Sequence, residues 1–185
     1  VNEKQNWKNK FQTISEQNVE KYITRRFNQV KKSKKITELT RFQASNKYMM
    51  MAHSQEELKI LGNIVASYKK RPLSKILEEY EIHLTKCLEN QPTIKKHANV
   101  ILHIYGYFSK NFTLHEKEKF WHTLERFKNQ EIWLGDVLAG INPMIFKFDN
   151  TYLVNQTYFL LYSKSQSDEL LQSLYKKCRR EDRQI

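Results

Sequence analysis

From Val19 onward, apolar residues recur at helical spacing almost without interruption. Val19, Tyr22, Ile23, Phe27 and Val30 fall at i, i+3, i+4, i+8 and i+11, one stripe of a helix that starts near Ser15. Leu58, Leu61, Ile64, Val65 and Tyr68 repeat the pattern. So do Leu73, Ile76, Leu77, Tyr80, Leu84, Cys87 and Leu88, and again Phe120, Trp121, Leu124 and Phe127. Little punctuates these stripes. The 185 residues hold four Gly and three Pro, too few for the tight turns of a sandwich or barrel. Stripes joined by short connections bury their apolar faces against one another. The expected fold is all-α: a single compact domain of six to eight helices around a buried central helix. The segment opened by Pro92 and running to about Lys110 through Val100, Ile101, Ile104, Tyr105 and Phe108 is apolar on nearly every side, and is expected at that centre.

Capping signals set several boundaries. Ser54 and Glu57 have capping-box spacing before the stripe from Leu58, and Thr113 and Glu116 have it before Phe120. A helix from about Thr37 is read straight through Leu39, Phe42, Tyr48 and the Met49-Met50-Met51 triplet. Between Glu131 and Phe148, Gly135, Gly140 and Pro143 predict a broken helix. Thr151 to Tyr162 contains four aromatics, and both helix and strand fit it. A last helix from about Ser167 carries Leu170, Leu171, Leu174, Tyr175 and Cys178 on one side. The chain divides into a basic N-terminal extension with one amphipathic helix (1–35), a helical domain (36–163) and a basic C-terminal helix packed on it (164–185).

Charge narrows the partners. Lys and Arg number 32 against 20 Asp and Glu, a net charge of +12, and the pI is near 9.6. Residues 1–46 alone carry eleven cations and four acids. Clustered basic residues at such a pI are the footprint of a nucleic-acid binder; a solvated, solubilising surface is the blander reading. No apolar run approaches the roughly 18 residues of a membrane span, and Val1-Asn2-Glu3-Lys4 does not open a signal peptide. A cytoplasmic protein is expected. Cys87 and Cys178 cannot make a disulfide framework or a four-thiolate site, and no cofactor or metal is expected. Cys87 sits on an apolar stripe, so its thiol should be buried.

No phosphate-cradling glycine loop, zinc-protease helix or nucleophile elbow is present. His115 and His122 lie seven apart on a surface helix without a third ligand beside them. The informative string runs from His97 to Phe108. Asn99, His103 and Tyr107 recur at i, i+4 and i+8 and share a face, with Gly106 beside it, where Gly costs about 1 kcal/mol relative to Ala. A satisfied buried network is one reading of that face, and a ligand contact is the other.

Three strings together, Lys47 to Ser54 with Leu61-Gly62, His97 to Phe108, and Gln156 to Phe159, resemble the YbgA-like family of bacterial domains. The likeness spans about Lys35 to Phe159. It marks Lys47, Tyr48, His53, Ser54, His97, Asn99, His103, Gly106, Tyr107, Gln156 and Tyr158 as the family-motif candidates. The family also occurs fused behind iron–sulfur thiouracil desulfidase domains, and the resemblance implies tRNA binding linked to thionucleoside desulfidation. These 185 residues carry no cluster-binding cysteines, so the fusion's chemistry does not transfer. The expected function is non-catalytic binding of structured RNA, tRNA foremost, presented to a separately encoded iron–sulfur desulfidase. Phosphate contacts are expected from Lys21, Arg25, Arg26, Lys31, Lys32, Lys34 and Lys35, from Lys69, Lys70 and Arg71, from Lys95 and Lys96, and from Lys176, Lys177, Arg179 and Arg180. Two rivals stand beside it: a protein-interaction module docking a desulfidase or repair enzyme, and an enzyme using His53, His97 or His103 as acid or base.

Overall fold

The computed structural model describes residues 16–147 and 151–162, and these are helical almost throughout. In chain order the helices are α1 (Glu16–Ser33), α2 (Ile36–Ser45), α3 (Lys47–His53), α4 (Gln55–Ala66) and α5 (Leu73–Glu89). They continue as α6 (Ile94–Tyr105), α7 (Leu114–Lys128), α8 (Leu134–Lys147), α9 (Thr151–Val154) and α10 (Thr157–Tyr162), with a 3-10 turn over Ser67–Lys69. The fold is all-α. The helix expected from Ser167, with Cys178, Lys176, Lys177, Arg179 and Arg180, lies outside the described residues. Among the described residues no helix is long and apolar enough to cross a membrane.

The α1 stripe is buried as its spacing predicts, through Val19, Ile23, Phe27 and Val30. α1 and α2 form a hairpin whose faces meet at Phe27 and Phe42, with ring centroids 5.6 Å apart. Tyr80 of α5 closes this aromatic cluster, 5.3 Å from Phe27 and 6.2 Å from Phe42. α4 and α5 form a second antiparallel hairpin, tied near its open end by Glu57 Oε2 and His83 Nδ1 at 2.7 Å.

Two expectations about helix continuity are corrected, and one left open is decided. The stripe from Thr37 through the Met triplet is two helices, because Asn46 breaks it with φ −103° and ψ 7°. Asn46 is buried, and its Nδ2 donates to the Phe42 carbonyl at 2.8 Å, the side chain competing for a helical acceptor. The expected break between Glu131 and Phe148 is absent within α8, which runs through Pro143. Gly135 falls in the first turn, whereas Pro143 lies inside the helix and forgoes the bond to the Ala139 carbonyl; buried Val137, Leu138 and Ile141 hold the helix down across it. The 151–162 stretch resolves as the short helices α9 and α10. These splits raise the number of helices among the described residues to ten, above the six to eight expected.

The enclosed helix is α3, not the segment after Pro92. Every residue from Tyr48 to His53 is buried, and α3 packs against α2, α4, α5, α6 and α10. α6 is amphipathic: Ala98, Val100, Ile101 and Ile104 face α3 and α7, whereas Lys95 and His103 face solvent. Its regular turns end at Tyr105, and tighter turns carry the chain through Gly106 and Tyr107 to Asn111. Apolar count overstated its burial, because Leu102 and Tyr105 are only partly buried and Tyr107 is exposed.

α7 starts with the full capping box, Thr113 Oγ1 accepting from Glu116 N–H and the Glu116 carboxylate accepting from Thr113 N–H. With Lys147 also bonded to it, the Glu116 carboxyl is held down to about 2. α7 ends in a Schellman arrangement, Glu131 N–H to the Arg126 carbonyl at 2.9 Å and Gln130 N–H to Phe127 at 3.0 Å. Gln130 takes the left-handed position with φ 63°.

Candidate functional site

The candidate residues divide between two environments, and burial sorts them. The first is a polar network inside the α3–α6–α10 core. His53 is 1 % exposed at the end of α3, and its Nδ1 lies 2.8 Å from the Asn90 carbonyl. A carbonyl only accepts, so Nδ1 carries the proton and Nε2 is left as an acceptor. Tyr162 Oη stands 3.3 Å from Nε2 and 3.3 Å from Glu16 Oε2, which is itself 3.5 Å from Nε2. Tyr162 donates to the Glu16 carboxylate, and His53 donates to Asn90. Burial pushes the Glu16 carboxyl up to about 7, against the pull of the Tyr162 hydroxyl. Burial pushes His53 down to about 4, so the imidazole is neutral.

One turn of α6 carries the network on. His97 Nδ1 pairs with Tyr158 Oη at 2.8 Å, and its ring packs edge-on against Tyr162, centroids 5.0 Å apart. Burial, then neighbouring His53 and Lys96, drive His97 down to about 3. Lys96 donates its ammonium to the carbonyls of His53 and Gln91, closing the C-terminal end of α3 with a cation. Gln156 is equally internal. Its Nε2 donates to the Ala44 carbonyl at 2.8 Å, its Oε1 accepts from Tyr48 N–H at 3.5 Å, and Thr157 adds a bond to the Ser45 carbonyl. Ser54 caps α4, its Oγ accepting from Glu57 N–H. Thus Tyr48, His53, Ser54, His97, Gln156 and Tyr158 lock helices together. Cys87 is also internal, its thiol pushed up to about 12 by burial and directed at the Met50 carbonyl.

The second environment is the surface. Asn99 is half-buried with Nδ2 donating to Gln55 Oε1 at 3.4 Å, while His103, Gly106 and Tyr107 are exposed. The buried-network reading of the Asn99–His103–Tyr107 face is therefore corrected, since α6 turns that face outward. A Cβ on Gly106 would meet the His103 carbonyl at 3.3 Å, within the same turn, so no other backbone approaches it.

Cations gather on two connections. Phe27 and Lys31 of α1 meet Tyr80 and Glu81 of α5, while Glu16 reaches His53 beside Asn90, so α1 and α5 run antiparallel. Gly62 of α4 lies beside Gln43 of α2. These registers bring the α1–α2 connection and the α4–α5 connection to the same end of the molecule. Lys32, Lys34 and Lys35 lie on one, Lys69, Lys70 and Arg71 on the other, and all are exposed. Tyr68, also exposed, carries the Lys69 ammonium 5.9 Å above its ring. Arg71 pairs with Glu79 and Lys31 with Glu81. Lys34 sits at φ 50°, a left-handed position that Gly occupies more cheaply. Along α1, Lys21, Arg25 and Lys32 follow one face beside Arg26, and Lys21, Arg25, Lys31 and Lys32 help to line a groove of about 710 Å³. Lys95 and Lys96 lie at the opposite end, where Lys96 is committed to α3.

Sequence spacing missed Glu16, Asn90 and Tyr162 in the network, and Tyr152 against Tyr107. Glu16 and Tyr162 stand 146 positions apart, and no local pattern joins them. Tyr152 and Tyr162 had one signal, the aromatic density of residues 151–162. Among the described residues no group of three His, Cys, Asp or Glu is placed to hold a metal ion.

Comparison with known proteins agrees with the span of the motif strings. Residues 47–163 match the model of a family described as a protein of unknown function (DUF1722). The chain is 25% identical over 119 residues to the "Uncharacterized protein YbgA" of Escherichia coli (strain K12), covering 64% of this chain and 70% of that one. No solved structure matches.

Proposed function

The chain belongs to the DUF1722 family, and from that premise we propose that it is a binder of structured RNA, gripping phosphates at its basic end. One observation carries the reading: two separate connections deliver Lys32, Lys34, Lys35, Lys69, Lys70 and Arg71 to one end of the bundle. Cations so clustered neutralise a polyanion and release its counterions, a gain that does not depend on sequence. Lys34 adds weight. Its left-handed backbone position at the turn between α1 and α2 presents an exposed ammonium at that end.

Binding of tRNA and presentation to an iron–sulfur desulfidase follow from the motif resemblance rather than from the geometry, and a cytoplasmic setting rests on composition. Catalysis by His53 or His97 has less support. Both nitrogens of His53 face protein partners, and His97 is paired with Tyr158. The test is to purify the chain at low salt and identify what accompanies it. RNA of tRNA size is expected. A stoichiometric protein or a small metabolite in its place, with no RNA, overturns the proposal.

A further inference from the structure

We propose that the exposed tyrosine at the end of α6, Tyr107, is a stacking platform for one unpaired nucleobase, with His103 beside it. This deepens the RNA-binding reading and rests on it. Tyr107 is held from one side: its ring stacks on Tyr152 at 5.9 Å between centroids and 26° between planes. Tyr48 and Tyr152 meet edge-on at 6.5 Å, so the three rings brace one another. Tyr107 is nevertheless 44 % exposed. With one face on Tyr152, that exposure belongs to the opposite face and the ring edge.

A pre-oriented aromatic face with polar groups along its rim suits a base better than an apolar side chain. His103 lies exposed in the last turn of α6, just before the tighter turn that carries Tyr107, and Asn99 lies one helical turn before His103. Their ring nitrogens and amide can address a base edge. The Lys47 ammonium lies 5.8 Å over the Tyr48 ring, which itself meets Tyr152 edge-on, and supplies a cation on that side of the molecule. Gly106, between His103 and Tyr107, leaves that approach without a side chain. Unpaired bases stack on aromatic side chains, whereas paired bases in a duplex offer no free face.

The experiment compares an RNA hairpin carrying 2-aminopurine in its loop with a fully paired duplex of equal length. Both are titrated with the unmodified chain, Tyr107→Ala, Tyr107→Trp and His103→Ala. The unmodified chain and Tyr107→Trp should quench the 2-aminopurine and prefer the hairpin. Tyr107→Ala should abolish the quenching and weaken hairpin binding by roughly tenfold or more, the range of one base–aromatic stack. Duplex affinity and salt dependence should not change. His103→Ala removes an exposed side chain, and should weaken hairpin binding by a smaller factor even if Tyr107→Ala proves unstable. Equal affinities of all four proteins for the hairpin overturn the platform and leave RNA binding standing. Failure of the unmodified chain to bind either RNA overturns both.

Discussion

His97 and His103 stand six positions apart on α6 and have opposite surroundings. His97 is turned into the core, paired with Tyr158 and packed on Tyr162, while His103 lies in solvent on the helix's outer face. Equal residue types in one motif therefore do unequal jobs. The inward set, with His53 and Gln156, joins α1, α3, α6 and α10. The outward set joins Tyr107 and the cations as surface available to a partner. A motif is one string in sequence and two faces in space.

The largest expected effect breaks the inward set. His97→Ala strands the Tyr158 hydroxyl in the core and removes packing from the Tyr158 and Tyr162 rings. An unpaired buried polar group costs about 1–3 kcal/mol and the lost packing adds to it, so the fold should lose roughly 3 kcal/mol or more. His103→Ala should stay within about 0.5 kcal/mol, as exposed substitutions do. Denaturant titration of the two variants checks this, and equal losses would erase the distinction between the faces.

The next prediction sharpens the comparison by pH. His53 and His97 have folded pKa values of about 4 and 3, below the ordinary 6.5. Their contribution is present above 6.5 and disappears as pH falls through those folded values. Glu16 runs the other way: its folded value of about 7 lies above 4.5, so its contribution is full below 4.5 and lost as pH rises through 7. Glu16→Gln should flatten that loss between pH 4.5 and 7 and leave the acid limb in place. Thermal melting across pH 3 to 8 measures both limbs, and an unchanged profile in Glu16→Gln would remove Glu16 from the network.

Much of this division was open to sequence reading, and the part that was not has a physical cause. The α1 and α5 stripes were legible because each helix buries one face, so spacing alone locates Val19, Ile23, Phe27, Ile76 and Tyr80. The break at Asn46 was hidden because a buried Asn that bonds its own helix looks like any polar residue between two stripes. α6 was misjudged because tyrosine counts as apolar whether its ring packs inward or lies on the surface. Basic runs at 31–35 and 69–71 were visible, but their meeting at one end depends on the register of two hairpins. Glu16, Asn90, Tyr152 and Tyr162 acquire their roles through long-range packing alone.

A smaller effect separates stability from binding at the basic end. Lys34→Gly relieves a left-handed residue and should raise stability by about 0.5–1 kcal/mol, roughly 2–4 °C in melting temperature at most. The same change removes a cation and should weaken RNA binding. Loss of stability together with unaltered binding would mean that Lys34 is there for the turn.

The central claim is that phosphates meet the chain where its two basic connections converge. Fluorescence anisotropy of labelled tRNA, repeated over a range of salt concentrations, tests it with the unmodified chain and a Lys32→Ala, Lys34→Ala, Lys35→Ala, Lys69→Ala, Lys70→Ala variant. The account predicts weaker binding and a plot of log affinity against log salt that is shallower by about 0.7–0.9 for each lysine that faces a phosphate. Superimposable plots for the two proteins would contradict it.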